Sequence, residues 1–382
     1  MPVAGIHRPA WAEISRSAIA HNVAVLRSIV GDAAICAVVK ANGYGHGATL
    51  VAPALVAAGA DVLAVAIIDE GIELREAGIG APILLLSEIP ADTIAQALRH
   101  DLTLTVGSLD GARAVVEVAR AEGLSATVHL KVDTGMYRQG VRPEEAEAAV
   151  ELLRDEHVTL EGLFTHFPVA DGDSEEDQAF TAEQVRAFDE VVQRLAAQGV
   201  TPRYVHLANS AAVVGHPQSH GNLVRPGLVL YGYTPAGWLR DELQRRGLAL
   251  RPALALRAQV VAVRRVAAGE RPSYGRRRPL STEATIITVP FGYADGYPRR
   301  LFEAGAEVLV HGKRFPLAGT VTMDQLLVNV GDEAVTLGDD VVLLGSSGNE
   351  QITADDWADW GATIAWEILC GIGARVPRVV VD

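Results

Sequence analysis

The sequence is poor in lysine and in cysteine. Of the 33 basic residues in the 382-residue chain, only three are lysines: Lys40, Lys131 and Lys313. Any chemistry that requires a primary side-chain amine therefore has three candidates. The two cysteines, Cys36 and Cys370, cannot form a disulfide framework, and they favour a reducing, cytoplasmic environment.

The sequence also lacks long apolar runs and an excess of positive charge. No run of about 18 apolar residues could span a membrane, and no basic-then-apolar segment at the start is typical of a signal peptide. A net charge of −14 disfavours broad contact with a nucleic-acid backbone. No ligand cluster has the spacing of a zinc site. We therefore expect no membrane, nucleic-acid or metal partner.

The composition that remains is typical of a globular protein, with 49% hydrophobic and 21% charged residues. The length exceeds that of one ordinary domain. Apolar runs alternate with alanine-rich helical segments, and the first helix is indicated by Ile19, Val23, Leu26 and Val30. Eight runs are typical of strands: 34–39, 62–68, 83–87, 102–106, 127–132, 160–165, 204–208 and 228–231. This α/β pattern predicts a (β/α)8 TIM-like barrel over residues 11–247, with a doubly wound sheet as the alternative.

The pattern changes after about residue 248. Strand-like runs at 253–263, 284–289, 307–310, 325–330 and 340–344 are separated by Gly, Pro and Asp, and a helical pattern returns only at 354–370. We therefore predict a mainly β C-terminal domain over residues 248–382, together with residues 1–10.

The C-terminal ends of the barrel strands are where functional residues are expected. Lys40 ends the first strand, before a glycine-rich turn, as Schiff-base chemistry requires; a surface lysine is the alternative. The fifth strand leads into Lys131 and Arg138, which could bind an anion or form a structural ion pair with Asp133. His166, after the sixth strand, could stack on a planar ring or remain a hydrogen-bonded core residue.

The ends of the last two barrel strands are compatible with a phosphate site. Asn209 and Ser210 follow the seventh predicted strand, and Arg225 and Gly227 precede the eighth; barrels frequently bind phosphate at this position. In the second domain, Tyr274, Tyr293 and Met323 lie in compact turns, where packing is the common role of such residues. None of these signals alone defines a function.

Taken together, these segments resemble the alanine racemase family, which uses pyridoxal 5'-phosphate (PLP). The resemblance runs from Trp11 to Arg378, and its most specific motif is AVVKANGYGHG at residues 37–47. The segment KVDTGMYR at 131–138, the turn SYG at 273–275 and the turn MDQ at 323–325 follow in the same order.

The resemblance implies roles at the matching positions. Lys40 would bind PLP covalently and act as one proton-transfer base, with Tyr274 as the base on the opposite face. The other implied cofactor contacts are Tyr44, Arg138, His166, Asn209, Ser210, Arg225 and Gly227. Arg138, Met323 and Tyr293 would contact or admit the substrate, while Lys131, often carbamylated in this family, would hold Arg138. Tyr274, Met323 and Tyr293 would come from the partner subunit of a homodimer.

One position departs from the family pattern. Residues 363–367 read TIAWE, where the family commonly has tyrosine in place of Trp366. That tyrosine contacts the cofactor phosphate and shapes the substrate pocket, so the phosphate contact and the substrate range of this chain are open.

The expected function is the interconversion of L-alanine and D-alanine, which would supply D-alanine for peptidoglycan. A racemase of the same fold for serine or another amino acid is the nearest alternative. A decarboxylase on a similar barrel would pair the pyridine nitrogen with a carboxylate in place of Arg225. A PLP-binding homeostasis protein would resemble the barrel alone and would lack the domain that carries Tyr274.

Overall fold

The computed structural model of the protein describes residues 7–382. Residues 1–6, which the sequence assigns to the second domain, lie outside that range. The strands are β1 Ala10–Ile14, β2 Ala34–Val38, β3 Val62–Val65, β4 Ile83–Leu85, β5 Leu102–Val106, β6 Ala126–Lys131, β7 Val158–Phe164, β8 Tyr204–His206, β9 Leu223–Val224, β10 Leu254–Gln259, β11 Ala262–Val266, β12 Ala284–Val289, β13 Glu307–Val310, β14 Lys313–Pro316, β15 Leu326–Gly331, β16 Asp340–Ser347, β17 Glu350–Ile352 and β18 Arg378–Val380.

The helices are Arg16–Val30, Ala48–Ala57, Ile68–Glu76, Ile94–Arg99, Leu109–Glu122, Ala146–Leu152, Glu175–Ala197, Ser210–Gly215, Gly237–Arg245, Ala354–Gly361 and Ala365–Cys370. The first is amphipathic, as predicted, and it buries Ile19, Val23, Leu26 and Val30. Among residues 7–382, no helix combines the length and the apolarity needed to cross a bilayer.

The eight strands β2–β9 form one parallel sheet in the order β8-β7-β6-β5-β4-β3-β2-β9. The amide of Asn222 donates to the carbonyl of Val205 at 3.1 Å, which joins the β9 end of the sheet to β8. Strands β3, β4 and β5 are buried at every residue, as expected for a parallel sheet covered on both faces. The predicted (β/α)8 barrel is confirmed.

The predicted eighth strand, at residues 228–231, is wrong. This apolar run forms a 3-10 helix, Leu228–Tyr231, and the eighth barrel strand is the two-residue β9. A short apolar run is as typical of a buried helical turn as of a strand. Pro226, just before the run, has no N–H to donate to a strand ladder. Gly232, with φ of 97°, ends the turn in a left-handed conformation.

The second compact unit contains the described residues up to Ser17, the segment Tyr44–Gly47 and Pro252–Asp382. Its larger sheet has the order β14-β13-β16-β10-β1-β18, with β17 paired to β16; its smaller sheet is β11-β12-β15. The predicted mainly β C-terminal domain is thereby confirmed in its architecture.

The limits of this unit differ from the predicted limits at the N-terminal strand. β1 pairs antiparallel with β10 and parallel with β18. Residues Ala10–Ser17 therefore belong to the β unit and not to the barrel. The partner of a strand is set by contacts across hundreds of residues, which local patterns do not encode. The helical segment predicted at 354–370 is also divided, because Ala362 has a left-handed φ of 49° between two helices.

Candidate active site

Lys40 lies two residues after the end of β2, and the backbone that follows it is left-handed. The φ angles of Ala41, Asn42, Gly43 and Tyr44 are 53°, 54°, 62° and 51°. A left-handed conformation costs a non-glycine residue about 1–2 kcal/mol. Strain of this kind persists only where surrounding contacts fix the backbone, and it is common at functional sites.

Two side chains hold this left-handed turn within the barrel unit. The Glu70 carboxylate accepts from the Ala41 amide at 2.6 Å and, through its other oxygen, from Ala66 at 2.8 Å. The Asn42 side chain accepts from the amide of Ala48 at 2.8 Å, which fixes the start of the next helix. The turn therefore has a defined shape at the point where Lys40 leaves the strand.

The barrel unit gathers four cations around His166. Burial, together with the charges of Arg225, Arg138, Lys131 and Lys40, holds the pKa of His166 well below its usual range. The ring is therefore neutral at physiological pH. A concentration of positive charge around a neutral ring is suited to an anionic ligand.

Lys131 is 3% exposed, and its amino group lies 5.6 Å from the centre of the Phe164 ring. Burial, and next the charge of Arg138, lowers the pKa of Lys131 to about 8. Among residues 7–382, Asp133 forms no ion pair with Lys131 or Arg138, and its Oδ1 accepts from the amides of Gly135 and Met136 at 2.9 and 2.8 Å.

Arg225 is 4% exposed and donates to several acceptors of the barrel. One terminal nitrogen donates to His206 Nδ1 at 2.8 Å, and the other donates to the carbonyls of Thr165 and Leu207 at 2.7 and 3.0 Å. Within residues 7–382, no acceptor contacts its Nε–H. Burial lowers the pKa of Arg225 to about 10, still far above neutrality, so the guanidinium remains charged.

Ser210 and Gly227 meet at the predicted phosphate position. The Ser210 hydroxyl accepts from the Gly227 amide at 2.8 Å, which leaves its own proton for donation. The Asn209 side chain caps the helix Ser210–Gly215 by accepting from Ala211 and Ala212, each at 3.1 Å. The structure thus brings Ser210 and Gly227 together and uses the Asn209 side chain as a helix cap.

In the β unit, the three residues predicted to reach a partner's site line one surface cavity. Tyr274, Tyr293 and Met323 border a cavity of about 910 Å³. They are 68%, 40% and 53% exposed, which is unusual for large apolar side chains on three separate loops. Their shared exposure is what a surface covered by another chain would show.

The loops that carry these residues are held in place by hydrogen bonds. The Ala294 amide donates to the Met323 carbonyl at 3.0 Å, which ties two of the loops together. The Thr320 hydroxyl donates to the Tyr274 carbonyl at 2.9 Å. Beneath the Tyr293 turn, the fully buried Asp295 accepts from Arg8 at 2.9 Å.

Tyr44 and Trp366 also belong to the β unit but do not line this cavity. Tyr44 is buried, and burial raises its pKa, so its phenol remains protonated. Trp366 lies in the first turn of the helix Ala365–Cys370 and is half-buried. The third lysine, Lys313, is exposed and pairs with Glu333 at 2.7 Å.

Sequence reasoning missed three residues that shape the barrel site. Glu70 fixes the left-handed turn, His206 accepts from Arg225, and the Phe164 ring lies 5.1 Å from the Arg225 guanidinium. Phe164 precedes His166 by two residues and His206 ends β8, so their positions at strand ends were a usable signal. Glu70 carried no comparable signal.

Family models of known proteins match both units of this chain. The family model described as "Alanine racemase, N-terminal domain" matches residues 14–235. The model described as "Alanine racemase, C-terminal domain" matches residues 253–380. Alanine racemase from Carboxydothermus hydrogenoformans is 46% identical over 377 residues, covering 98% of this chain and all of that protein.

Solved structures show the same relationship. Alanine racemase from Bacillus anthracis with bound L-Ala-P superposes with a TM-score of 0.92 at 38% identity, covering 99% of this chain and 96% of that one. Histidine racemase from Leuconostoc mesenteroides subsp. sake superposes with a TM-score of 0.91 at 28% identity, covering both chains fully.

The barrel, the β unit and these relatives define an enzyme of the amino-acid racemase class, an isomerase. Within that class, the chain belongs to the alanine racemase family. The resemblance inferred from the motifs at residues 37–47 and 131–138 is thereby confirmed.

Proposed function

We propose that this enzyme interconverts L-alanine and D-alanine with PLP as its cofactor. The observation that carries the proposal is Arg225, a buried, charged guanidinium whose Nε–H has no acceptor among the described residues. A pyridine nitrogen is an acceptor suited to that donor. The cations around His166 also suit the phosphate and phenolate charges of PLP, and Lys40 supplies an amine for its aldehyde.

In this proposal the residues named by the resemblance would hold the cofactor. Lys40 would bind it covalently, Arg225 would donate to the ring nitrogen, and His166 would face the ring. Arg138 contacts the phenolic oxygen and orients the substrate, whose carboxylate lies beside Met323. Tyr44, Ser210 and Gly227 would contact the phosphate, with Trp366 at the position where the family commonly has tyrosine. Asn209 would be a further cofactor contact.

Racemisation requires a proton to leave one face of Cα and another to arrive on the opposite face. When bound, PLP supplies an electron sink for the charge left at Cα. Two bases on opposite faces achieve the exchange most directly. Tyr274 Oη removes the proton from L-alanine while Lys40 Nζ supplies one to the other face, and the roles reverse for D-alanine.

Arg225 favours this outcome over other reactions of amino acids. Because the Arg225 guanidinium retains its proton, it would leave the cofactor nitrogen unprotonated, and the ring would withdraw electrons weakly. A proton is then returned promptly to Cα, before a carboxylate or an amino group is lost. A carboxylate at this position would have the opposite effect.

The exposed residues of the β unit support a homodimer with shared active sites. Tyr274, Tyr293 and Met323 would complete the site of the partner subunit, with Tyr293 in the substrate entry path. A two-fold arrangement gives two such composite sites. The D-alanine produced in the cytoplasm would serve peptidoglycan synthesis.

A second candidate is a racemase for another amino acid. Trp366 favours it, because an indole N–H can only donate a hydrogen bond and has a different position from a tyrosine hydroxyl. The similar structure named histidine racemase indicates that this fold also serves an enzyme named for another amino acid.

The direct test follows the loss of optical rotation when the purified holoenzyme is incubated separately with L-alanine, L-serine and L-histidine. We expect L-alanine to have the highest kcat/KM. Turnover of L-serine or L-histidine above that of L-alanine selects the second candidate, and no turnover of any of the three rejects the proposal.

The shared site is tested by mixing inactive subunits. A heterodimer of Lys40→Ala and Tyr274→Phe chains retains one site with both bases, so some activity should return. Subunit exchange is followed independently with two differently tagged chains. Demonstrated exchange without recovered activity contradicts the shared-site arrangement.

A further inference from the structure

A chain of buried polar side chains extends from Arg225 to an edge of the barrel. Arg225 donates to His206 Nδ1 at 2.8 Å, and His206 Nε2 lies 2.9 Å from His129 Nδ1. His129 Nε2 lies 3.2 Å from a carboxylate oxygen of Glu161. Both histidines are essentially inaccessible to solvent, while Glu161 is half-buried beside the exposed Arg203. Of these four side chains, only Arg225 is among the ligand-binding residues proposed above.

The ends of this chain fix the position of every proton in it. A guanidinium can only donate and a carboxylate can only accept. His206 must therefore accept at Nδ1 and carry its proton on Nε2, from which it donates to His129. His129 must in turn carry its proton on Nε2 and donate to Glu161. The four side chains thus form a one-way series of donors that ends on a negative charge.

The charge states agree with this direction. Burial lowers the pKa of His129, and burial together with the charge of Arg225 holds the pKa of His206 well below its usual range. The hydrogen bond from His129 lowers the pKa of Glu161. At neutral pH the two rings are therefore neutral and the carboxylate is charged.

Two irregularities in β7 make room for the series. In the register between β6 and β7, Val128 pairs with Leu160 and His129 with Gly162, so Glu161 is an extra residue in a β-bulge. Bulges change the direction of a side chain relative to the sheet. At Gly162, a Cβ atom would lie 2.4 Å from His129 Nδ1, so a side chain there is incompatible with the ring. The strand departs from regular geometry where His129 and Glu161 meet.

We propose that Glu161 and His129 are positioning residues for Arg225, which act through His206 to hold the guanidinium with its Nε–H available to the cofactor. The inference rests on the proposed function for its catalytic consequence, although the hydrogen-bonded series belongs to the protein alone. Losing the acceptor at Glu161 frees His129, and then His206, to adopt the other tautomer. Nδ1–H of His206 would then point a donor at the donor of Arg225.

The first test reads the unsubstituted chain and needs no cofactor, and variants serve only to assign its signals. The tautomers of His129 and His206 are read from 15N NMR of the histidine-labelled apoenzyme, with the signals assigned by single His→Gln variants. We expect both rings as the neutral Nε2–H tautomer. A protonated ring, or an Nδ1–H tautomer at either residue, overturns the inference whether or not the enzyme racemises alanine.

The second test compares Glu161→Leu, which removes the acceptor, with Glu161→Gln, whose carbonyl oxygen can still accept. The leucine variant should shift the His129 and His206 signals and lower kcat about tenfold, the equivalent of one hydrogen bond, with little change in KM. The glutamine variant should keep the histidine signals and kcat close to those of the unsubstituted enzyme. Glu144→Leu makes the same substitution at an exposed ion pair with Arg142 and should change neither.

The possible outcomes separate positioning from simple support of the fold. Unchanged histidine signals in Glu161→Leu reject the series, and changed signals with unchanged kcat reject the role in positioning Arg225. If Glu161→Gln loses as much kcat as Glu161→Leu, the charge and not the tautomer is responsible, which also rejects the inference. Should the leucine variant fail to fold, the wild-type tautomers still decide the matter.

Discussion

The two units of this protein prepare their functional residues in opposite ways. In the barrel, Lys131 and Arg225 are almost fully buried, and Arg225 is held by several hydrogen bonds. In the β unit, Tyr274 and Met323 are more than half exposed on loops. The barrel residues are fixed by contacts within their own chain, whereas the side chains of the β unit are exposed to solvent.

This difference indicates which functions a single chain can perform. The barrel residues already provide a positive environment for an anionic ligand. The tyrosines and methionine of the β unit are held in position through their loops, but nothing in their own unit covers them. We therefore expect cofactor binding to depend mainly on the barrel, and proton transfer to depend also on the association of two chains.

The largest expected effect comes from the barrel. Lys40→Ala removes both the covalent link and one base, so we expect racemisation of L-alanine to fall by about 10⁴-fold or more. Lys313→Ala is the matched control, because it removes an exposed amine that pairs only with Glu333. Borohydride reduction of the holoenzyme and peptide mapping should find the pyridoxyl group on Lys40; a label on Lys131 or Lys313 would overturn the assignment.

A smaller, directional effect is expected from the β unit. Tyr274→Phe removes one base and should lower kcat by about 10²–10³-fold. Removal of the α-hydrogen, measured as its exchange with solvent deuterium, should be slowed more for L-alanine than for D-alanine, since Lys40 serves the other face. The kcat/KM for racemisation should fall equally in both directions, because the two enantiomers have the same free energy. Tyr137→Phe removes the hydroxyl of a side chain that is 91% exposed and should change neither exchange rate. Equal slowing of exchange for both enantiomers in Tyr274→Phe would contradict its assignment to one face.

Trp366 tests whether the β unit also contributes to cofactor binding. If it occupies the phosphate position, Trp366→Tyr restores a hydroxyl donor to a charged group, worth about 1.5–3 kcal/mol at most. PLP should then dissociate more slowly, and the ratio of kcat/KM for serine to that for alanine should rise as the ring becomes smaller. If neither the PLP affinity nor the ratio changes, Trp366 is a packing residue.

Lys131 tests the electrostatics of the barrel. With a pKa of about 8, about a tenth of its side chain is free amine at pH 7 and about half at pH 8. Only the free amine reacts with carbon dioxide, so carbamylation should increase about fivefold over this unit of pH. A 13C carbamate signal from labelled bicarbonate should grow accordingly and be missing in Lys131→Met; a signal that persists in this variant belongs elsewhere.

The smallest expected effect concerns the left-handed turn after Lys40. Ala41 has a φ of 53°, so Ala41→Gly relieves backbone strain while it raises the entropy of the unfolded chain. The net gain in unfolding free energy should be below about 1 kcal/mol, measured by urea denaturation of the apoenzyme. Ala48→Gly, at a helical position, should instead be destabilising. A destabilised Ala41→Gly would show that the turn is not strained.

Much of the fold follows from local pattern, and the exceptions have physical causes. The apolar run that ends at Lys40 is long enough to identify a strand and the position of the lysine at its end. β9 has only two residues, too few to show any period. The pairing of β1 with β10 and β18 depends on residues far apart in the sequence.

The site could be predicted where residue type dictates chemistry. Lys40 was singled out by its type and its position at a strand end, and the roles of Arg225 and Tyr274 were implied by the resemblance; all three roles stay predictions. The left-handed run from Ala41 could not be predicted, because alanine and tyrosine rarely adopt that conformation. The bulge at Glu161 could not be predicted either, since a change of register leaves no trace in composition.

The arrangement of the three lysines has a practical consequence for handling the protein. Lys131 is buried and Lys40 lies at the base of the left-handed turn, whereas the side chain of Lys313 is 60% exposed on an outer hairpin of the β unit. Of the three lysines, Lys313 should therefore be the one that amine-acylating reagents modify first in the folded enzyme. Coupling through Lys313 would therefore favour attachment to a solid support by this hairpin of the β unit.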